Sequence, residues 1–158
     1  MSMTQMQHLI EALHLLPHPE GGFYKETYRS ECSLEGEERD LLTSIYFLLT
    51  SENVSKFHRI KSDELWYFHA GSPLIVHTLS ERGHEQHHLG LDLTKGQPPF
   101  LWIPKDTIFG STVLEKDCFS LVSCAVAPGF DFRDFELFER PELLAAYPEY
   151  REIVVRLT

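Results

Sequence analysis

The sequence predicts an all-β fold, a β-barrel or jelly roll, with a short helix at each end of the chain. Ten short segments rich in β-branched and aromatic residues follow one another between residues 23 and 137. Turn-forming residues separate them and no helical pattern lies between them, which is typical of antiparallel architectures. The 158 residues, 42% of them hydrophobic, suit one domain that spans residues 1–158.

The first helix is predicted from apolar residues at helical spacing, with Thr4 as its N-cap and Pro17 after its end. Its apolar positions are Met6, Leu9, Ile10, Leu13 and Leu16. The strands are predicted over residues 23–29, 42–50, 55–60, 64–69, 74–79, 84–92, 100–103, 108–114, 119–127 and 131–137. A second helix is predicted over 141–147 with Pro141 as its first residue, and another helical turn or two over 149–157. One side of that last segment carries Tyr150, Ile153, Val154 and Leu157.

Composition and charge exclude several classes of function. The formal net charge of −10 would repel a phosphate backbone, so we expect no nucleic-acid partner. No apolar run is long enough to span a bilayer, and the first residues lack the pattern of a signal peptide, so we expect no membrane partner. Three cysteines without a CxxC pair make a disulfide or zinc framework improbable. We therefore expect a cytoplasmic protein.

The segment FHRIKSDELWYFHAG carries the residues most suited to chemistry, His58 and Glu64. If residues 60–63 form a tight hairpin, His58 faces Glu64 across it, and strand alternation puts Trp66 on the same face as Glu64. An imidazole and a carboxylate beside aromatic rings are typical of a small-molecule site in a barrel mouth. The alternative is that His58 is a hydrogen-bonded core histidine and Glu64 its solvent-facing neighbour.

The same segment resembles the first motif of the cupin superfamily in His58, Glu64 and Gly71. Residues 96–109 resemble a degraded second cupin motif, with Pro104 retained. Four blocks, LPHPEGGFYKETYRS, SIYFLL, HRIKSDELWYFHAG and VAPGFDFRDFEL, are together similar to the fifth cupin subfamily, a group of unknown function. This resemblance implies a double-stranded β-helix (the cupin jelly-roll barrel), an internal ligand pocket and a homodimer. It implies no particular reaction.

The resemblance also bears on metal binding, because metal-dependent cupins hold their ion with three histidines and one carboxylate. Of these types only His58 and Glu64 remain, while Ile60 and Phe109 fall at the second and third histidine positions. Their side chains have no donor atoms, and two ligands are too few for a dedicated transition-metal site. We therefore expect no metal cofactor.

Without a metal, the chemistry expected is binding or proton transfer, and metal-free cupins include sugar epimerases. We predict a small polar ligand, such as a sugar or sugar nucleotide, with His58 as a catalytic base and Glu64 as its partner. Glu26, Tyr46 and Trp66 are predicted to bind the ligand, although Trp66 fits ordinary barrel packing equally well. Two alternatives remain open: a non-catalytic ligand-binding or sensing cupin, and a metal-dependent oxygenase with an altered ligand set.

The other histidines and Cys124 are predicted to serve structure. His84, His87 and His88 follow a predicted hairpin tip and suit a solvated strand face, with adventitious metal binding as the alternative. His18 lies in the PHPEGG turn, where it could rim a pocket or a dimer contact. His69 suits structural hydrogen bonding. Cys124 lies in an apolar strand and suits a small buried hydrophobe.

Overall fold

Two antiparallel sheets face each other across a shared apolar core in the computed structural model, which describes residues 3–158. The strands are β1 Leu16–Pro17, β2 Phe23–Arg29, β3 Thr43–Thr50, β4 Ser55–Arg59, β5 Asp63–Gly71, β6 Leu74–Ser80, β7 Gly83–Leu89, β8 Phe100–Ile103, β9 Ile108–Val113, β10 Phe119–Ala127 and β11 Glu136–Leu137. One sheet has the order β1-β2-β3-β10-β5-β8, and the other has the order β11-β4-β9-β6-β7. The predicted all-β fold is confirmed.

The core between the sheets is built from the inward-facing residues of both. Phe47 and Trp66 come from the six-stranded sheet, whereas Leu74, Val76 and Phe109 come from the five-stranded sheet. Because side chains alternate along a strand, each strand gives its apolar set to this core and presents its other set outward. This packing fills the closed part of the barrel and leaves a cavity at its open end.

The first helix, α1 (Met3–Ala12), packs Met6, Leu9 and Ile10 against the outer face of the six-stranded sheet. The predicted N-cap is wrong, because Thr4 lies inside this helix. The helix also ends earlier than predicted: His14 has a left-handed φ of 54°, and the amide of Leu15 bonds to the Ile10 carbonyl. That bond is typical of a Schellman-type C-cap, so Leu16 is released into β1, where it is exposed.

The last two helices, α2 (Arg140–Ala146) and α3 (Arg151–Arg156), cover the outer face of the five-stranded sheet. Leu143, Val154 and Leu157 are buried there against Phe57 and Leu79. The predicted apolar side of the C-terminal segment is confirmed, although Pro141 is the second rather than the first residue of α2. None of the helices described between residues 3 and 158 is long and apolar enough to cross a membrane.

Two predicted local structures are wrong. Residues 60–63 do not form a hairpin, because β4 pairs with β9 and β11 while β5 pairs with β8 and β10, so this connection crosses between the sheets. Residues 131–137 are not one strand, because the Asp131 carboxylate accepts a hydrogen bond from the Arg133 amide and starts a 3₁₀ turn over Phe132–Asp134. Only Glu136–Leu137 remains extended.

Candidate functional site

A cavity of about 420 Å³ opens at one end of the barrel. Strands β2, β3, β4, β5 and β10 line it, together with the turn before β2 and the loop of residues 128–135. Its inner end is polar and buried, with His58, Glu20 and Glu64. Its outer end is aromatic, with Phe132 exposed at the mouth. A buried polar end beneath an apolar entrance is typical of a small-molecule site.

His58 has a protein partner at both of its ring nitrogens. Nδ1 donates to the Lys56 carbonyl at 2.7 Å, and Nε2 lies 3.0 Å from the Glu20 carboxylate oxygen Oε2. Because a carbonyl can only accept, Nδ1 carries the proton, and in the neutral ring Nε2 is the acceptor. The ring centroid lies 4.2 Å from that of Phe109 and 5.4 Å from that of Phe135, so aromatic packing fixes the plane of the imidazole.

Glu20 is the residue of this site that the sequence did not single out. It lies in the turn between β1 and β2, and the Lys56 amide donates to its carbonyl, which docks the turn on β4. Gly21 follows with a φ of 111°, and a Cβ at this position would lie 2.0 Å from the Val54 carbonyl oxygen. The pair Gly21-Gly22 was therefore the sequence signal that could have pointed to Glu20, because glycines in such a turn indicate a close backbone approach.

Burial sets the protonation of the Glu20–His58 pair. Loss of solvent raises the pKa of Glu20 to about 7, with the charge of His18 acting in the opposite direction. Burial also lowers the pKa of His58, against the Lys56 carbonyl and the charge of Glu64. Both shifts favour the uncharged pair, in which the Glu20 carboxyl donates its proton to Nε2.

Glu64 lies on the inward face of β5 and lines the same cavity, with only 8% of the residue exposed. Burial raises its pKa to about 7, with the His58 charge lowering it and the Glu20 charge raising it. Among residues 3–158, no N–H or O–H group donates a hydrogen bond to its carboxyl group, and the Cys124 thiol beside it is a weak donor. The hydrogen-bonding partner of His58 is thus Glu20, not Glu64 as expected.

His18 completes the polar end of the cavity, so it lines a pocket as predicted but lies at the buried end rather than at the rim. Its Nδ1 accepts a hydrogen bond from the Glu20 amide at 3.2 Å, so the neutral ring carries its proton on Nε2. Burial lowers its pKa, while the Glu20 charge raises it. The ring meets the edge of Tyr24 at a centroid distance of 4.6 Å. His18 therefore offers the site an N–H donor from an uncharged ring.

Three further residues were predicted to bind a ligand, and the structure places one of them at the cavity. Glu26 lies at the mouth, where its Oε1 accepts from Arg29 at 2.6 Å. Tyr46 points away because Thr43 and Ile45 are the inward residues of β3, and its ring lies beside His69 on the outer face. Trp66 points inward but is buried deeper, between Phe47 and Phe109, and does not line the cavity.

Among the remaining histidines, His69 behaves as predicted, whereas the strand that carries His84, His87 and His88 does not. His69 faces outward and bonds to the Ser123 hydroxyl, as expected. The strand carrying His84, His87 and His88 is not a solvated face: His84 Nε2 lies 2.9 Å from Nδ1 of buried His77, and His87 bonds to Thr78. Tyr150 and α3 lie beside His77 and His84 on one face of this strand.

The donor set at the cavity does not fit a transition metal. Ile60 lines the cavity and Phe109 packs on the His58 ring, so two positions of the cupin ligand pattern present hydrocarbon. Nδ1 of His58 is committed to the Lys56 carbonyl. Within the described residues, no three His, Cys, Asp or Glu side chains are arranged to hold an ion. The groups present are suited to moving protons rather than to coordinating a metal.

Residues 7–138 match the family described as "Cupin superfamily (DUF985)". The chain is also similar to protein SO0799 from Shewanella oneidensis, a crystal structure that is 45% identical with a TM-score of 0.91 and covers 100% of this chain and 98% of that one. It is 29% identical to the uncharacterized protein YML079W of Saccharomyces cerevisiae, over 83% of this chain and 74% of the yeast protein.

A more distant likeness concerns the fold alone. The oxalate decarboxylase of Bacillus subtilis is 14% identical, with a TM-score of 0.57 over 90% of this chain and 36% of that one. Together with the family match, this likeness confirms the predicted cupin jelly roll.

Proposed function

The chain belongs to the DUF985 family of the cupin superfamily, and we propose that its barrel binds a small polar metabolite, such as a sugar, and isomerises or epimerises it without a metal. In this proposal Glu64 takes a proton from a carbon next to a carbonyl group, and the Glu20–His58 pair returns one. The expected compartment is the cytoplasm, where the free thiols of Cys32, Cys118 and Cys124 would be stable.

The observation that carries the proposal is the grouping of two buried carboxyl groups around one imidazole at the inner end of a cavity. Burial raises the pKa of Glu20 and that of Glu64 to about 7 each. General acid–base catalysis is most effective when the pKa of the group lies near the working pH. At neutral pH the pair of carboxyl groups therefore supplies one acid and one base, which is what an isomerisation needs.

His58 takes a different part from the simple base that the sequence suggested. Its Nδ1 is bonded to Lys56 and its Nε2 to Glu20, so a substrate meets a carboxyl group first. His58 holds the Glu20 carboxyl group in place through Nε2, and Glu20 ionises when it gives its proton to the substrate. Among residues 3–158 the carboxyl group of Glu64 has only the weak Cys124 thiol as a hydrogen-bond donor, and it lines the cavity where a substrate can contact it.

Exchange of substrate protons with solvent deuterium tests the proposal. The protein is incubated in D₂O with a panel of unphosphorylated aldoses, ketoses and amino sugars, and label at the carbon beside the carbonyl is followed by NMR. We expect exchange with at least one member, and a loss of at least about 100-fold in Glu64→Gln and in Glu20→Gln. Glu142→Gln, on the exposed face of α2, is the matched control and keeps the wild-type rate.

Two outcomes would contradict the proposal. If no sugar exchanges while some raise the melting temperature, the barrel is a binding or sensing module. If protein purified without a histidine tag holds one iron, manganese or zinc per chain, and His58→Ala loses it, the metal-dependent oxygenase is the better account.

We also propose that two copies of the chain form a homodimer through the outer face of β5 and β8. Tyr67, Phe100 and Trp102 are exposed there, and Tyr67 pairs with Phe100 across the strands. β8 is the edge of its sheet, and an exposed apolar edge is a common site of pairing. Light scattering should give a dimer for the wild type and a monomer for Trp102→Glu, while Leu93→Glu, at another exposed apolar position, stays dimeric. A monomeric wild type contradicts this.

A further inference from the structure

The lining of the cavity carries more acid than base. Glu20, Glu26, Glu64 and Asp131 contribute four carboxyl groups, whereas Arg29 is the single lysine or arginine of the lining. Asp131 is held ionised by Arg133, whose guanidinium lowers the pKa of that carboxyl to about 2 and also balances its charge, so the surplus of acid comes from the three glutamates. His18 and His58 add no positive charge, because burial lowers the pKa of each imidazole.

Arg29 is not free to receive an anion. Its Nη2 donates to Oε1 of Glu26 at 2.6 Å and its Nη1 donates to Oδ2 of Asp40 at 2.6 Å. Two carboxylates on one guanidinium leave this corner of the mouth with a net negative charge. A phosphate or carboxylate ligand would have to displace one of them, and both are already in close contact.

The outer end of the cavity is aromatic. Phe130 and Phe132 meet edge to face at a centroid distance of 4.9 Å, and Phe135 lies 6.0 Å from Phe132. Phe132 is half exposed, so part of its surface is open to an entering molecule. Aromatic faces attract cations and stack on planar rings.

At the inner end, Glu64 supplies the polar partner for such a molecule. Only 8% of the residue is exposed and it lines the cavity, and in the described part of the chain the one hydrogen bond to its carboxyl group comes from the Cys124 thiol. A thiol is a weak donor, so a ligand that donates a stronger hydrogen bond to this buried carboxyl group is favoured. An ammonium group provides up to three donors and a compensating charge.

From this arrangement we infer that the metabolite selected by the barrel is a small organic cation, a ring compound such as an amino sugar that carries a protonated amine, with the ring against Phe132 and the amine at one carboxyl oxygen of Glu64. This inference rests on the proposed function and names the substrate class of the same site. A sugar nucleotide, which the sequence left open, carries a diphosphate that the acidic lining would repel.

Three probes of nearly equal shape test the inference: benzylammonium, benzyl alcohol and benzoate. Their affinities are measured at neutral pH and low salt by titration of amide NMR signals. We expect benzylammonium to bind at least about tenfold more tightly than benzoate, with benzyl alcohol between them. In Glu64→Gln, which keeps the size of the side chain, the affinity for benzylammonium should fall by about tenfold and the affinity for benzyl alcohol by less than about twofold. Glu142→Gln should leave all three affinities unchanged.

Benzoate that binds as tightly as benzylammonium would overturn the inference, as would no measurable binding of benzylammonium at about 10 mM. Failure here is distinguishable from failure of the proposed function. Deuterium exchange into a neutral or anionic sugar by a protein that rejects benzylammonium refutes the substrate class and retains the catalysis. Selective binding of benzylammonium without exchange into any substrate refutes the catalysis and retains the substrate class.

Discussion

Nε2 of His58 lies 3.0 Å from Oε2 of Glu20. This contact joins the turn before β2, in the six-stranded sheet, to β4 in the five-stranded sheet, so it holds the two sheets together at the open end of the barrel. The amide of Lys56 donates to the Glu20 carbonyl, and the Lys56 carbonyl accepts from Nδ1 of His58. One short stretch of backbone therefore positions both partners. The same pair serves the fold and holds a proton inside the cavity.

The first prediction concerns the loss of that contact. Glu20→Ala leaves the buried Nε2 of His58 without a partner, and we expect the free energy of unfolding to fall by about 1–3 kcal/mol. Glu20→Gln retains a donor for Nε2 and should cost less than about 1 kcal/mol. Urea unfolding at neutral pH measures both. Equal losses for the two variants would show that the hydrogen bond contributes nothing.

The second prediction concerns Glu64 and pH. Its pKa is about 7 in the folded protein and 4.5 in the reference state, so its protonated form favours folding below pH 4.5 and this stability is lost as pH rises through 7. Glu64→Gln is uncharged at every pH. It should match the wild type near pH 4.5 and exceed its stability by about 1–3 kcal/mol at pH 8. A difference that is flat with pH, or the same trend in exposed Glu142→Gln, would contradict this.

The third prediction concerns the stability of the protein at acidic pH. His77 is buried between His84 and Thr112, and burial, followed by the charges of His84 and Arg156, lowers its pKa to about 3. A depressed histidine pKa costs stability as pH falls below 6.5, because the unfolded chain then binds the proton first. His77→Gln should remove about 2 kcal/mol of the wild-type loss at pH 5. Unfolding curves at pH 7 and pH 5 compare the two. An unchanged loss in the variant would refute the assignment.

The fourth prediction concerns the turn that carries Glu20. Gly21 has a φ of 111°, and an added Cβ would lie 2.0 Å from the Val54 carbonyl oxygen. Gly36 is a matched control, because its φ is also positive at 81° but an added Cβ meets nothing within 4 Å. We expect Gly21→Ala to cost at least about 2 kcal/mol more than Gly36→Ala. Melting temperatures that fall equally would show that the turn is not tightly docked on β4.

The sequence predicted the architecture well because its strongest pattern is local. Strand alternation and turn residues identify β2, β8 and β10 with their full bounds, and the same alternation places His58 and Glu64 on inward faces. Alternation does not give depth along the barrel. Trp66 has the correct parity and still lies below the cavity, packed against Phe47 and Phe109.

The partner of His58 could not be predicted for a different reason. Glu20 lies in a turn, where no periodic pattern assigns a direction to a side chain, and its contact with His58 depends on how the two sheets meet. The prediction that His58 faces Glu64 assumed a hairpin over residues 60–63. That connection passes instead from one sheet to the other, so Glu64 lines the same cavity without pairing with His58.

The most direct test of the acid–base site is a pH titration of the glutamate carboxyl carbons by ¹³C NMR, with Glu20→Gln and Glu64→Gln for assignment. We predict that two carboxyl groups titrate with apparent pKa values of about 7, and that replacing either one lowers the pKa of the other, because their charges repel and His58 lies close to both. Titration of every glutamate between about pH 4 and pH 5 would contradict the account, since both carboxyl groups would then be ionised at neutral pH and no acid would remain in the cavity.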